Sequence, residues 1–175
     1  MSNILKSLMI CFLYFQPLSG HAADTFIYVN GKLIGNTCTV SSQSQNMTVK
    51  MGNIGAKDFI RPSSDGLWAF EFPFSINLTD CQAESTGVKV YFLGSADTNN
   101  KELLKITGNG AQGIAIRLMD ENKNPIAINQ SSKIYEINPE SDINELFFYA
   151  RYVLTQDKLT PGPANAVSTF MLEYL

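Results

Sequence analysis

Histidine is nearly absent from the 175 residues, with His21 the single copy; cysteine is scarce at three and tryptophan occurs once. No apolar run approaches the ~20 residues that a membrane-spanning helix needs. No phosphate-binding glycine loop, paired-cysteine zinc spacing, calcium loop or nucleophile elbow is present. Basic residues number 13 against 16 acidic ones and stand singly. Without a basic stripe, a nucleic-acid partner is disfavoured.

The N-terminus accounts for much of what little there is. Lys6, an apolar run from Leu8 to Phe15 and a small-residue stretch from Ser19 to Ala23 have the three-part layout of a secretory signal peptide. Pro17 and Gly20 would break a buried helix there. Gly20 and Ala22 supply the small residues that cleavage wants, so residues 1–22 are expected to leave and the mature chain to open Ala23-Asp24-Thr25. Cys11, His21 and Lys6 leave with them. The 153 residues of 23–175 then carry 12 basic and 16 acidic side chains, a net charge of −4, and suit one domain with its own core. No membrane insertion is expected of them.

Cys38 and Cys81 remain as a pair with no third competitor, and in an oxidising compartment they should form one disulfide. Closing a loop of roughly 44 residues contributes about 4 kcal/mol in the chain-entropy model. A mature chain with no histidine and no free thiol lacks the usual general base, metal ligand and nucleophile. A glycosidase needs only carboxylates, but the acidic residues here sit singly in turns or on polar strand faces and read as solvated surface. Gly108, Gly110 and Gly113 spell G-x-G-x-x-G, yet the following Ile114-Ala115-Ile116-Arg117-Leu118 alternates as a strand, so they are expected to form a loop. No catalytic residue, metal site or cofactor is assigned.

What is present is β-pattern, in short runs punctuated by Gly, Pro, Asn, Asp and Ser. Over 67–78, Trp68, Phe70, Phe72, Phe74, Ile76 and Leu78 share one face, a period of two that predicts a core stripe. Pro73 lacks an amide donor and predicts an edge or bulge. Further runs at 47–51, 88–93, 114–119, 126–128, 134–137, 146–154 and 166–174 suggest a two-sheet sandwich.

Both ends of the mature chain look like strands in want of a sheet. Thr25, Ile27, Val29, Gly31 and Leu33 alternate with polar or aromatic neighbours, where a free end is ordinarily polar and loose. Phe170, Leu172 and Tyr174 alternate up to the last residues. So apolar an exposed edge would be an aggregation hazard.

These features together resemble the chaperone-usher pilins, and most of all the minor tip-fibrillum adaptor subunits of type 1 pili. The resemblance rests on Ala23-Asp24, Val29-Asn30-Gly31-Lys32, Cys38-Thr39-Val40, Cys81, Val88-Lys89-Val90, Ala96-Asp97, Phe148-Tyr149-Ala150-Arg151 and the ending Phe170-Met171-Leu172-Glu173-Tyr174. Gly162 and Tyr174 occupy the family's glycine fourteenth from the end and its penultimate aromatic.

The resemblance implies an all-β fold: an incomplete immunoglobulin-like sandwich at 34–175 lacking its last strand, with a donor-strand arm at 23–33. It implies a groove bordered by the first and final strands, the latter with Gly162, Phe170, Leu172 and Tyr174, and a cell-surface fimbrium reached through the periplasm. The partners implied are a periplasmic chaperone that first lends a strand, an outer-membrane usher, neighbouring pilins and an adhesin. The arm of the next subunit then fills the groove by β-augmentation. Three buried apolar arm residues would contribute roughly 5 to 9 kcal/mol before ladder hydrogen bonds. Gly31 matches the family's arm glycine, where only backbone fits. Eight mature residues before Gly31 make a short arm, which favours a tip adaptor over a rod or terminating subunit. A secreted carbohydrate-binding sandwich is the alternative from another class.

Overall fold

The computed structural model describes residues 37–175. The expected signal peptide at 1–22 and the arm at 23–33, with Thr25, Ile27, Val29, Gly31 and Leu33, lie outside the described residues. Within them the chain runs β1 (Thr39–Val40), a one-turn helix α1 (Ser42–Gln45), a 3-10 turn (Ala56–Asp58), β2 (Arg61–Ser63), β3 (Gly66–Thr79) and β4 (Gly87–Leu93). It continues through β5 (Leu104–Lys105), β6 (Ile114–Asp120), β7 (Pro125–Ile126), β8 (Ser131–Glu136), β9 (Asn144–Leu154) and β10 (Thr169–Tyr174). The larger sheet has the order β1-β3-β9-β6-β5, with β2 beside β3 and β7 beside β6; the smaller is β10-β4-β8. All pairings are antiparallel.

The inward faces of the two sheets make one core. Phe148 at its centre is fully buried; it stacks on Phe74 at 5.4 Å between ring centroids and meets Phe92 and Tyr135 edge-on at 5.1 and 5.4 Å. Such pairs add about 0.5–1.5 kcal/mol each beyond their area burial. Cys38 and Cys81 are joined by a disulfide, which ties β1 to the loop after β3. At the same end the Tyr174 hydroxyl donates to the Cys38 carbonyl at 3.2 Å.

The β3 stripe follows its expected alternation only in part. Phe72, Phe74, Ile76 and Leu78 face the core, but the register against β9 slips by one residue between the pairs Trp68–Val153 and Glu71–Arg151. That bulge reverses the faces. Ala69 is fully buried in the main core while Phe70 is 45 % exposed. Trp68 lies on the outer face of the sheet against Leu103, Ala115 and Val153. Pro73 pairs with Tyr149 of β9, and on its other side β3 has no strand neighbour at this point among the described residues, so a missing amide costs no ladder bond to them.

Two other expectations change. Residues 47–51 form no strand: alternate side chains Met47, Val49 and Met51 turn to the core, but residues 46–54 make no backbone hydrogen bond to any described residue. A strand pattern without a partner among the described residues is left unladdered by them. The acidic residues are not all solvated either. Asp97, in the loop after β4, and Asp120, the last residue of β6, are 8 % and 3 % exposed, because each carboxylate accepts amide N–H groups of the turn that follows it. Asp65 pairs with the fully buried Arg117, which also reaches Glu102 at 3.0 Å and pins two loops onto the outer face of β6. Gly108, Gly110 and Gly113 lie between β5 and β6, with Gly108 and Gly113 at φ +69° and +78°, and a strand follows them.

Candidate strand-binding groove

Between residues 47–51 and the approach to β10 the core is open. The opening is a cavity of about 360 Å³. Its floor is apolar and comes from both sheets: Phe74 and Ile76 of β3, Phe92 of β4, Ile116 and Leu118 of β6, and Ala150 of β9. Met47, Val49 and Met51 form one wall; Ala164, Ala166 and Phe170 belong to the other. A 150 Å³ apolar cavity accepts a benzene, so this one has room for about two large apolar side chains.

Both walls present backbone as well as side chains. β10 pairs only with β4, in register Phe170–Phe92, Leu172–Val90 and Tyr174–Val88. Its other edge has no partner among the described residues. With the backbone of 46–54 opposite, the groove offers N–H and C=O groups that no described residue pairs along its length. An extended segment laid between them could hydrogen-bond to both walls while its alternate side chains entered the cavity.

The walls are held in place by polar contacts that the sequence did not announce. The Tyr152 hydroxyl, rising from the floor, donates to the Ala164 carbonyl at 2.7 Å. The Thr107 amide donates to the Asn165 carbonyl at 2.7 Å, and the Ser168 hydroxyl to the Leu93 carbonyl at 3.1 Å. At the disulfide end the Leu175 amide donates to Gly87 and Tyr174 to Cys38. Burial pushes the hydroxyls of Tyr152 and Tyr174 above their ordinary value, so both stay protonated donors.

Of the residues picked from sequence, Phe170, Leu172 and Tyr174 stand together on the half-buried face of β10, directed at the core. Gly162 does not line the cavity. It lies in the loop before β10, where a β-carbon would come within 2.9 Å of the Ala111 nitrogen and 3.0 Å of the Gly110 carbonyl carbon, so backbone packs on backbone there. The wall at 164–168 and Tyr152 were missed. The alternation of small Ala164 and Ala166 ahead of the final strand was the available signal. Among the described residues no group of His, Cys, Asp or Glu is placed to hold a metal ion, and no helix is long and apolar enough to cross a membrane.

A two-sheet antiparallel sandwich whose final strand has one edge bare among the described residues, over a core left open beside it, defines an incomplete immunoglobulin-like domain of the pilin class. The family model described as fimbrial protein matches residues 27–175, and the chain belongs to that family. It is a structural subunit of a surface fimbrium, not an enzyme. It is 35% identical over 161 residues to the fimbrial-like protein YdeS of Escherichia coli strain K12, covering 89% of each chain. With the fimbrial subunit type 1 of Salmonella typhimurium it shares 31% identity over 187 residues, covering 99% of this chain and 100% of the other. A chain from the structure of a chaperone-usher pilus has the same fold, with a TM-score of 0.64 at 20% identity, covering 91% of this chain and 99% of that one.

Proposed function

We infer that the subunit is built into its fimbrium by donor-strand exchange, with the groove as acceptor and residues 23–33 as the arm it donates to its neighbour. The observation that carries this is the pairing of an unladdered wall at 46–54 with the bare edge of β10 over an apolar cavity. A fold with that opening needs a lent strand before assembly, so the subunit passes through the periplasm on a chaperone and is handed on at an outer-membrane usher. Thr25, Ile27, Val29 and Leu33 are the arm residues offered to the neighbour's cavity, and Gly31 the position where backbone alone fits.

The short arm supports a place at the tip, as a minor adaptor between adhesin and rod. A second reading, a rod subunit, is favoured by the end-to-end similarity to the type 1 fimbrial subunit. Deleting residues 23–33 is expected to leave chaperone binding intact and to stop the neighbouring subunit from being joined, read by immunoblot of sheared fimbriae. Unchanged fimbriae would refute the assembly mechanism. Immunogold labelling separates the two positions: tip-only label supports the adaptor, label along the shaft the rod.

A further inference from the structure

The end of the sandwich opposite the disulfide carries an exposed patch that neither the core nor the groove uses. Around β2 and the start of β3, Ile60 is 68 % exposed, Leu67 41 % and Phe70 45 %. Arg61 lies 5.3 Å from the Trp68 ring and 5.4 Å from that of Phe70, and it donates to the Ala69 carbonyl. Its guanidinium is therefore fixed in place. Arg151 approaches Trp68 too, but Glu71 holds it in an ion pair. Arg61 has no carboxylate partner among the described residues. An oriented arginine with aromatic rings and an apolar rim has the composition of an interface centre.

The distribution of charge points to what covers it. At the disulfide end Asp80, Glu84, Glu136, Glu140, Asp142 and Glu145 are all exposed, and none is ion-paired among the described residues. Stretches 79–88 and 136–146 contain no lysine or arginine. At the patch end Lys57, Arg61, Lys105 and Lys158 are exposed and equally unpaired. One end of the domain thus carries unpaired carboxylates with no cation among them, and the other carries unpaired cations beside Asp58 and Asp157. Thr37, whose carbonyl accepts the Gln82 amide at 3.1 Å, lies at the acidic end. On the assembly reading the donated residues 23–33 precede Thr37 in the chain by only a few residues, so the donating subunit meets its acceptor acidic end first.

We propose that the patch formed by Ile60, Arg61, Leu67, Trp68 and Phe70 docks the carboxylate-rich disulfide end of a second copy of this chain, where two copies are adjacent in the fibre. A carboxylate of that neighbour takes the open side of the Arg61 guanidinium, and the apolar rim keeps water from it. The contact is head-to-tail and so propagates instead of closing. Two acidic ends brought together would repel, which gives the stacking its polarity. The proposal rests on the assembly reading above, and it adds a second contact to the one made by the arm.

Fimbriae carrying Arg61→Lys, treated with a zero-length carbodiimide, test it, because that reagent joins an amine to a carboxylate only in direct contact. Peptide mapping is expected to recover residue 61 linked to an acidic residue beside the disulfide of another subunit, and Arg61→Ala to lose that product. Lys57 of the unaltered chain provides the same readout should the variant fail to fold. A chain present in fimbriae whose residues 57 and 61 link to no such segment overturns the docking proposal and leaves the groove reading standing. A chain with its arm intact that never enters fimbriae refutes the assembly reading, and the docking proposal with it.

Discussion

The two flanks of the sandwich are built from similar residues and differ in what completes them. On the closed flank β3 is laddered to β9 from Trp68 to Leu78, and Phe148 is fully buried among Phe74, Phe92 and Tyr135. On the open flank Met47, Val49 and Met51 show the same alternation, yet no described residue hydrogen-bonds to their backbone. The pattern of side chains is therefore not what distinguishes a finished sheet from an unfinished one; a partner strand is. Where the chain supplies the partner, the core is sealed. Where no described residue supplies it, an apolar cavity of about 360 Å³ remains.

The largest effect should come from filling that cavity from within. Ala166→Trp places an indole in the groove without touching the closed flank. It is expected to abolish capture of a donor peptide copying residues 23–36 of a compatible subunit, while denaturant stability of the donor-free chain holds or rises. Lost stability together with retained capture would break the comparison. Next comes truncation on each flank in turn. Phe148→Ala is expected to cost about 3–5 kcal/mol whether or not a donor is bound. Met47→Ala should cost under about 1 kcal/mol in the donor-free chain and about 2 kcal/mol in the donor-bound one, since its remaining neighbours arrive with the donor. Chemical denaturation of both states measures the difference.

How much of this could be read beforehand divides along similar lines. Strands β4, β6, β9 and β10 lay where short apolar runs and turn residues put them, and Pro73 marked the part of β3 without a second neighbour. The bulge was not legible. Trp68, Phe70 and Phe72 keep a perfect period of two through it, and nothing in their spacing shows that one residue of β3 goes unmatched on β9. The burial of Arg117 was equally hidden, because its partners Asp65 and Glu102 are 52 and 15 residues away in sequence. As for the groove, Phe170, Leu172 and Tyr174 could be found from periodicity, but the wall at 164–168 takes its position from the Tyr152 hydroxyl, a contact that only the fold creates.

The smallest expected effect is the most discriminating, because it titrates both flanks in one experiment. Burial raises the hydroxyl pKa of Tyr135 on the closed flank and of Tyr152 and Tyr174 at the groove. In the unfolded chain a tyrosine loses its proton near pH 10; in the folded chain these three keep theirs to higher pH. Above pH 10 the unfolded state thus binds fewer protons, and stability must fall as pH rises, having been fully present below that point. Unfolding free energy is expected to be flat from neutral pH to about 9 and to decline above about 10. A bound donor strand covers Tyr152 and Tyr174 further and leaves Tyr135 as it was, so in the donor-bound chain the decline should start at the same pH, set by the unfolded chain, and continue to higher pH with a larger total loss. Tyr174→Phe loses its bond to the Cys38 carbonyl, about 1 kcal/mol at neutral pH, and with Tyr152→Phe should remove the donor-dependent part of the alkaline loss. Tyr135→Phe should leave that part intact. If instead Tyr135→Phe alone erases it, the donor acts on the closed flank and the groove has been placed on the wrong side of the molecule.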